Sequence, residues 1–174
     1  MSKTVKDALL GIKIKEVKGN FDCSFNELTS LEGAPKTVKG DFDCSYNDLT
    51  SLEGASETVE GDFNCAYNDL TSLEGSPKEV VGNFYCSSNK LTSLKGSPKI
   101  IEEGGFYCHI NQLTSLEGSP ETITGGFSCS ENKLASLEGS PKEVGGDFDC
   151  SGNKVKFTRD DVRKVCNVRG DIYV

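Results

Sequence analysis

Gly40-Asp41-Phe42-Asp43-Cys44-Ser45-Tyr46-Asn47-Asp48-Leu49-Thr50-Ser51-Leu52-Glu53-Gly54 is a phrase that the chain writes seven times with variations. Its Phe-x-Cys core falls at Phe21/Cys23, Phe42/Cys44, Phe63/Cys65, Phe84/Cys86, Phe106/Cys108, Phe127/Cys129 and Phe148/Cys150. Successive cysteines are 21, 21, 21, 22, 21 and 21 residues apart. A fixed period in the twenties is the signature of a solenoid, in which each repeat is one supersecondary unit and neighbours bury each other's apolar faces. The 174 residues divide into an N-terminal cap over 1–18, seven repeats over 19–153 and a C-terminal cap over 154–174, all one structural domain.

Within a repeat, Phe42 and Cys44 are two apart and so share one side of a strand, while Asp41 and Asp43 take the other. Asn47 recurs as Asn26, Asn68, Asn89, Asn111, Asn132 and Asn153. An asparagine where a strand turns can satisfy buried backbone groups with its amide, so stacked repeats predict an asparagine ladder. Leu49 and Leu52 fill the next wall. Gly54 and the recurrent Pro35, Pro77, Pro98, Pro120 and Pro141 turn the chain, with Ser56 standing where repeat two lacks its proline. Val38, Val59, Val80, Ile101, Ile123 and Val144 return the chain to the core. The one 22-residue unit has its extra residue near Glu102-Glu103, which predicts a local bulge there.

Both caps carry helix signals. Thr4 with Asp7 is a capping box before Ala8, Leu9 and Leu10, with Gly11 as the stop, so a short helix is expected over about 4–10. Ile12 and Ile14 alternate with lysines, the pattern of a half-buried strand. Thr158 with Asp161 opens a second helix through Cys166, with Val162 and Val165 on one face. Ile172 and Val174 alternate with Tyr173, which predicts a closing strand on the sheet edge.

Seven of the eight cysteines share one place in the repeat, and rungs of a parallel sheet sit about 4.8 Å apart. A disulfide needs Cβ atoms about 3.8 Å apart, so the column reads as buried thiols acting as small apolar residues. No Cys-x-x-Cys occurs and His109 is the single histidine, so no metal site is expected; nor does the repeat match a calcium-binding nonapeptide. No nucleophile–base pair and no cofactor motif is present, so no enzyme activity is expected. There is no apolar run of membrane-spanning length, and the three apolar residues Ala8–Leu10 are too few for a signal-peptide core, which places the expectation in the cytoplasm. The net charge of −8 hides an asymmetry. Residues 1–18 and 154–174 are each +3, whereas the repeats hold eight lysines against 22 acids, a net −14. So acidic a body repels phosphate backbones, which argues against nucleic acid as the partner of the repeats.

The consensus Leu-x-x-Leu-x-x-x-Pro-x-x-Val-x-Gly-x-Phe-x-Cys-x-x-Asn-x-Leu resembles the leucine-rich repeat, in particular the short bacterial type with proline-rich turns. The resemblance covers about 135 residues. It departs from that type by one added residue before the strand and by Phe in place of Leu. It implies a leucine-rich-repeat-like solenoid with a parallel β-sheet on one face, mostly irregular turns on the other and short helical caps. The Phe-x-Cys-Ser-x-Asn-x-Leu-Thr-Ser-Leu-x-Gly-Ser-Pro phrase is also similar to small repeat proteins encoded by tailed bacteriophages.

That family displays the residues between the inward ones on its strand face. Between Phe and Cys the column here is Asp22, Asp43, Asn64, Tyr85, Tyr107, Ser128 and Asp149; before Phe it is Asn20, Asp41, Asp62, Asn83, Gly105, Gly126 and Asp147. Two residues after Cys it is Phe25, Tyr46, Tyr67, Ser88, Ile110, Glu131 and Gly152. The core columns hardly change, whereas these do. The first three repeats present Asp22, Asp41, Asp43 and Asp62 beside the aromatic row Phe25, Tyr46 and Tyr67. The middle repeats present Tyr85, Tyr107, His109 and Ile110 with almost no charge. Tyrosine-rich, charge-poor patches with polar surroundings are typical of protein-binding surfaces, although aromatics also suit sheet surfaces for packing alone. These eleven residues are the candidate partner-binding surface. The expected function is a non-enzymatic protein-binding module, implied by the phage resemblance to inhibit a bacterial host defence protein. A self-assembling virion component is the alternative, and a small-ligand role would need an oligomer to build a pocket.

Overall fold

The computed structural model describes residues 3–9 and 11–174 and forms a parallel β-solenoid of about eight turns. Each turn gives the front wall a two-residue strand, the second residue of which faces outward. The eight front strands, Phe21–Asp22, Phe42–Asp43, Phe63–Asn64, Phe84–Tyr85, Phe106–Tyr107, Phe127–Ser128, Phe148–Asp149 and Ile172–Tyr173, make one parallel sheet. Phe pairs with Phe along it until Phe148 meets Ile172. The phenylalanines bury completely from Phe42 onward, with ring centroids 5.1–6.2 Å apart down the column. The cysteine, both leucine and the valine columns close the core around them.

The asparagine ladder is the polar counterpart of that core. Asn47 Nδ2 donates to the carbonyls of Cys23, Cys44 and Ser45 at 3.0–3.1 Å, and its Oδ1 accepts from the Asn26 and Leu28 amides. The same pattern recurs to Asn153. Each side chain therefore ties two turns together where no strand can. The thiols are free and buried, and several donate to a carbonyl of the next turn, as Cys44 Sγ does to Asn64 at 3.3 Å. Burial pushes the Cys23 thiol up to about 12 and the fully enclosed ones further. These are packing groups in the protonated state.

The wall opposite differs from the expected irregular turns. The returning valines sit in two-residue strands that form two four-stranded parallel ladders. One runs through Glu16–Val17, Thr37–Val38, Thr58–Val59 and Glu79–Val80; the other runs through Ile100–Ile101, Thr122–Ile123, Glu143–Val144 and Asn167–Val168. The break falls at the 22-residue unit. The Val81 amide donates to Val59, but one turn later Glu103, not Glu102, donates to Val81, so the extra residue takes up the register there. Gly54 and its equivalents adopt positive φ (+91° at Gly54), and a Cβ on Gly75 would lie 2.6 Å from the Glu53 amide. Only glycine meets both demands.

At the N-terminus, helix α1 spans Val5–Ala8, with the reciprocal Thr4–Asp7 capping box in place. Leu10, the last residue of the expected helix, lies outside the described residues. No strand forms at Ile12–Ile14, and Ile12 is 64 % exposed. The strand is at Glu16–Val17 instead, because Val17 stands 21 residues before Val38 and the repeat's register decides the pairing. At the C-terminus, helix α2 spans Arg159–Val165 behind the Thr158–Asp161 box. From Asn167 the chain makes an eighth turn: Val168-Arg-Gly-Asp-Ile172 repeats Val144-Gly-Gly-Asp-Phe148, and both its strands pair with those of the seventh. Among the described residues no helix is long and apolar enough to cross a membrane.

Candidate functional site

The outward column before each phenylalanine is a capping device in the first turns. Asn20 Oδ1 accepts from the Asp41 amide, Asp41 Oδ1 from Asp62, Asp62 Oδ1 from Asn83 and Asn83 Oδ1 from Gly105, all at 2.7–3.0 Å. In the strand column, Asp22 and Asp43 each accept from the amide and the hydroxyl of the serine two residues on, at 2.6–2.9 Å. These hydrogen bonds hold the Asp22 carboxyl below the usual carboxylate range. The four aspartates proposed for partner binding thus each spend one oxygen on the backbone.

The aromatic row lies off the strands. Phe25, Tyr46, Tyr67, Ser88, Ile110 and Glu131 all have φ between 51° and 55°, the left-handed turn that ends each front strand. That conformation costs an L-residue roughly 1–2 kcal/mol and is rare for a β-branched one such as Ile110. The three rings stack face to face, 4.3 and 4.2 Å between centroids, along one corner of the solenoid. Phe25 is 72 % exposed. Ile110 stands farther along this corner, not in the strand column of Tyr85 and Tyr107.

Tyr85 and Tyr107 stack at 5.0 Å on the front wall, where partial burial and the neighbouring Asp62 raise the Tyr85 hydroxyl above its usual range. Beyond them the capping column fails, because Gly105 and Gly126 have no acceptor to offer. The Tyr107 ring occupies the space, its hydroxyl 2.6 Å from where a Gly105 Cβ would be and 3.5 Å from one on Gly126. A groove of about 590 Å³ opens past it. Tyr107 and His109 form one side and Tyr173 of the eighth turn the other, over a floor of Gly126, Ser128 and Ser130, with Asp147 and Asp149 along it. Asp147 Oδ1 accepts from the Asp171 amide, and Asp149 Oδ1 from Ser151. Among the described residues the second oxygen of each carboxylate has no hydrogen-bond partner. His109 is half-buried; its Nδ1 is enclosed without a hydrogen-bond partner, and burial lowers its pKa against the pull of Asp149 and Glu131.

The structure therefore divides the candidates between a corner stack, the capping aspartates of the two outward columns and a groove that takes Tyr107 and His109, with Tyr85 stacked on Tyr107 outside it. Asp147, Asp149 and Tyr173 were not among them. The signal available was the change from Asn/Asp to glycine at 105 and 126. Tyr173 could be found only by aligning the C-terminal cap as a turn. Every lysine that pairs with an acid one turn away, such as Lys36 with Glu57 and Lys142 with Glu121, lies off the three front columns, which contain no Lys or Arg at all.

No protein-family model, curated protein or solved structure matches the chain.

Proposed function

We propose that the protein is a non-enzymatic binding module of the leucine-rich-repeat kind, whose front wall and adjoining corner meet a basic surface of a partner protein. The observation that carries this is the composition of that wall: acids and exposed aromatics, with Lys and Arg confined elsewhere. Complementary charge speeds encounter and excludes wrong partners, and rigid tyrosines add contact area at low entropic cost. In view of the similarity to phage repeat proteins, the partner is a bacterial host protein of the defence machinery, met in the host cytoplasm and blocked by occupation of a basic site.

The test is affinity capture from bacterial lysate, with the intact protein beside a variant carrying Tyr85→Ala, Tyr107→Ala and His109→Ala. One host protein recovered by the first and lost with the second is the expected result. Recovery of the chain alone, equally with both, would overturn it. A second reading, end-to-end self-assembly, is favoured by one observation: strands Phe21–Asp22 and Ile172–Tyr173 pair on one side only. An unpaired edge is a template for another strand. The like charge of the two caps opposes it, so assembly should grow with salt in sedimentation, and a monomer at all salt concentrations would eliminate this reading.

A further inference from the structure

We infer that the groove between Tyr107 and Tyr173 is an arginine-recognition site, which takes the guanidinium of a basic segment of the partner; this rests on the protein-binding reading above. Three independent features meet there. Asp147 and Asp149 are two residues apart on the outward side of one turn, and each keeps one carboxylate oxygen free. No Lys or Arg occupies any front column, and among the described residues none forms an ion pair with either carboxylate. Tyrosine side chains line the groove at both sides.

Carboxylate oxygens that already accept a backbone amide are fixed in place, which suits bidentate hydrogen bonding. The planar, weakly hydrated guanidinium stacks on tyrosine and donates in a fork; the compact, strongly hydrated lysine ammonium does neither as well. Tyr107 and Tyr173 are three turns apart, about 14 Å at 4.8 Å per turn, so the groove admits an extended stretch of roughly four residues around the arginine. The corner stack has aromatics too, but of the two acids that line it Glu27 pairs with Lys3, which leaves Asp48 alone against the two carboxylates of the groove. Charge therefore selects the groove.

The repeats themselves supply the variant. Asn20 and Asn83 fill the column of Asp147, and Asn64 fills that of Asp149, each capping the same amide through its Oδ1. Asp147→Asn with Asp149→Asn should therefore keep the fold while removing the charge. The probe is the blocked tripeptide acetyl-Gly-Arg-Gly-amide, titrated at low salt into the ¹⁵N-labelled full chain and followed by NMR. The expected result is saturable shifts at Gly126, Ser128, Gly146 and Asp149, with affinity at least about tenfold weaker for the double variant and for the citrulline peptide, and weaker for the lysine peptide. Absence of saturable shifts, shifts confined to Phe25–Tyr67, or equal affinity of the double variant would each overturn the proposal. Should the peptide fail while the captured partner is still lost with the Tyr85/Tyr107/His109 variant, the arginine site falls and the binding module stands.

Discussion

The first three turns and the fifth and sixth share one core but use their outward columns in opposite ways. In the first, Asp41 and Asp62 lend an oxygen to the next turn's backbone, and the aromatics stack on a corner. In the fifth and sixth, glycines at 105 and 126 give up those caps, and a tyrosine lies in the gap beside an open groove. A column that keeps its chemistry from turn to turn is holding the chain together; a column that drops it has been freed for something else. On the binding-module reading, stability and recognition are thus separated along the axis, which a solenoid permits because each turn contacts only its neighbours.

If the core is the same at both ends, its polar ladder should matter equally at both, and the largest effects test that. Asn68→Ala and Asn132→Ala each strand several buried backbone groups, at about 1–3 kcal/mol per group, so each should lose about 3 kcal/mol or more in urea denaturation. Clearly unequal losses would break the premise. Next, Asp62→Gly carries the late turns' glycine into the early ones. It removes the acceptor for the Asn83 amide and should lose about 1.5–3 kcal/mol by the same measurement; a silent Asp62 would mean that the caps contribute nothing.

Strain at the corner gives a smaller, oppositely signed effect. Ile110→Gly relieves a β-branched residue at φ 53° and should gain about 1 kcal/mol. Tyr46→Gly gives up two stacked neighbours, each worth about 0.5–1.5 kcal/mol, and should gain nothing or lose. Equal gains at both sites would remove any stabilising role for the aromatic stack. The smallest effect is that of pH at the groove. His109 has its folded-state pKa lowered by burial, against an unfolded value of about 6.5. Above that pH the ring is neutral in both states. As pH falls below it, the unfolded chain takes the proton first, so stability declines until the folded-state value is reached. Thermal midpoints should drop from pH 7.5 to 5.5 and drop less in His109→Gln; a parallel decline in both would contradict this.

How far the sequence could be read follows the same division. Period, core columns, asparagine ladder and the bulge at Glu102-Glu103 were legible because every turn repeats the same packing problem and so the same residues. The valine strands were missed in kind: a two-residue strand is too short to show alternation, and only its pairing with the next turn makes it one. The early strand was sought at Ile12–Ile14 on local alternation, where the 21-residue register was the stronger rule. The aromatic row was misplaced onto the strands because sequence does not report φ. Of the groove's lining, Tyr107 and His109 were legible as breaks in a pattern. Asp147, Asp149 and Tyr173 were not, since the eighth turn and the opening beside Gly126 show only in the fold.

Gly126→Asn tests that division most directly. Asparagine there restores the column of Asn20 and Asn83, offers an acceptor to the Asp147 amide, and its Cβ finds no atom closer than 3.4 Å. If Gly126 was freed for recognition, the urea midpoint of the variant will equal or exceed that of the parent, by up to about 1 kcal/mol. A loss of more than about 1 kcal/mol, on the scale of a buried packing defect, would show that packing requires the glycine and that the groove is its by-product.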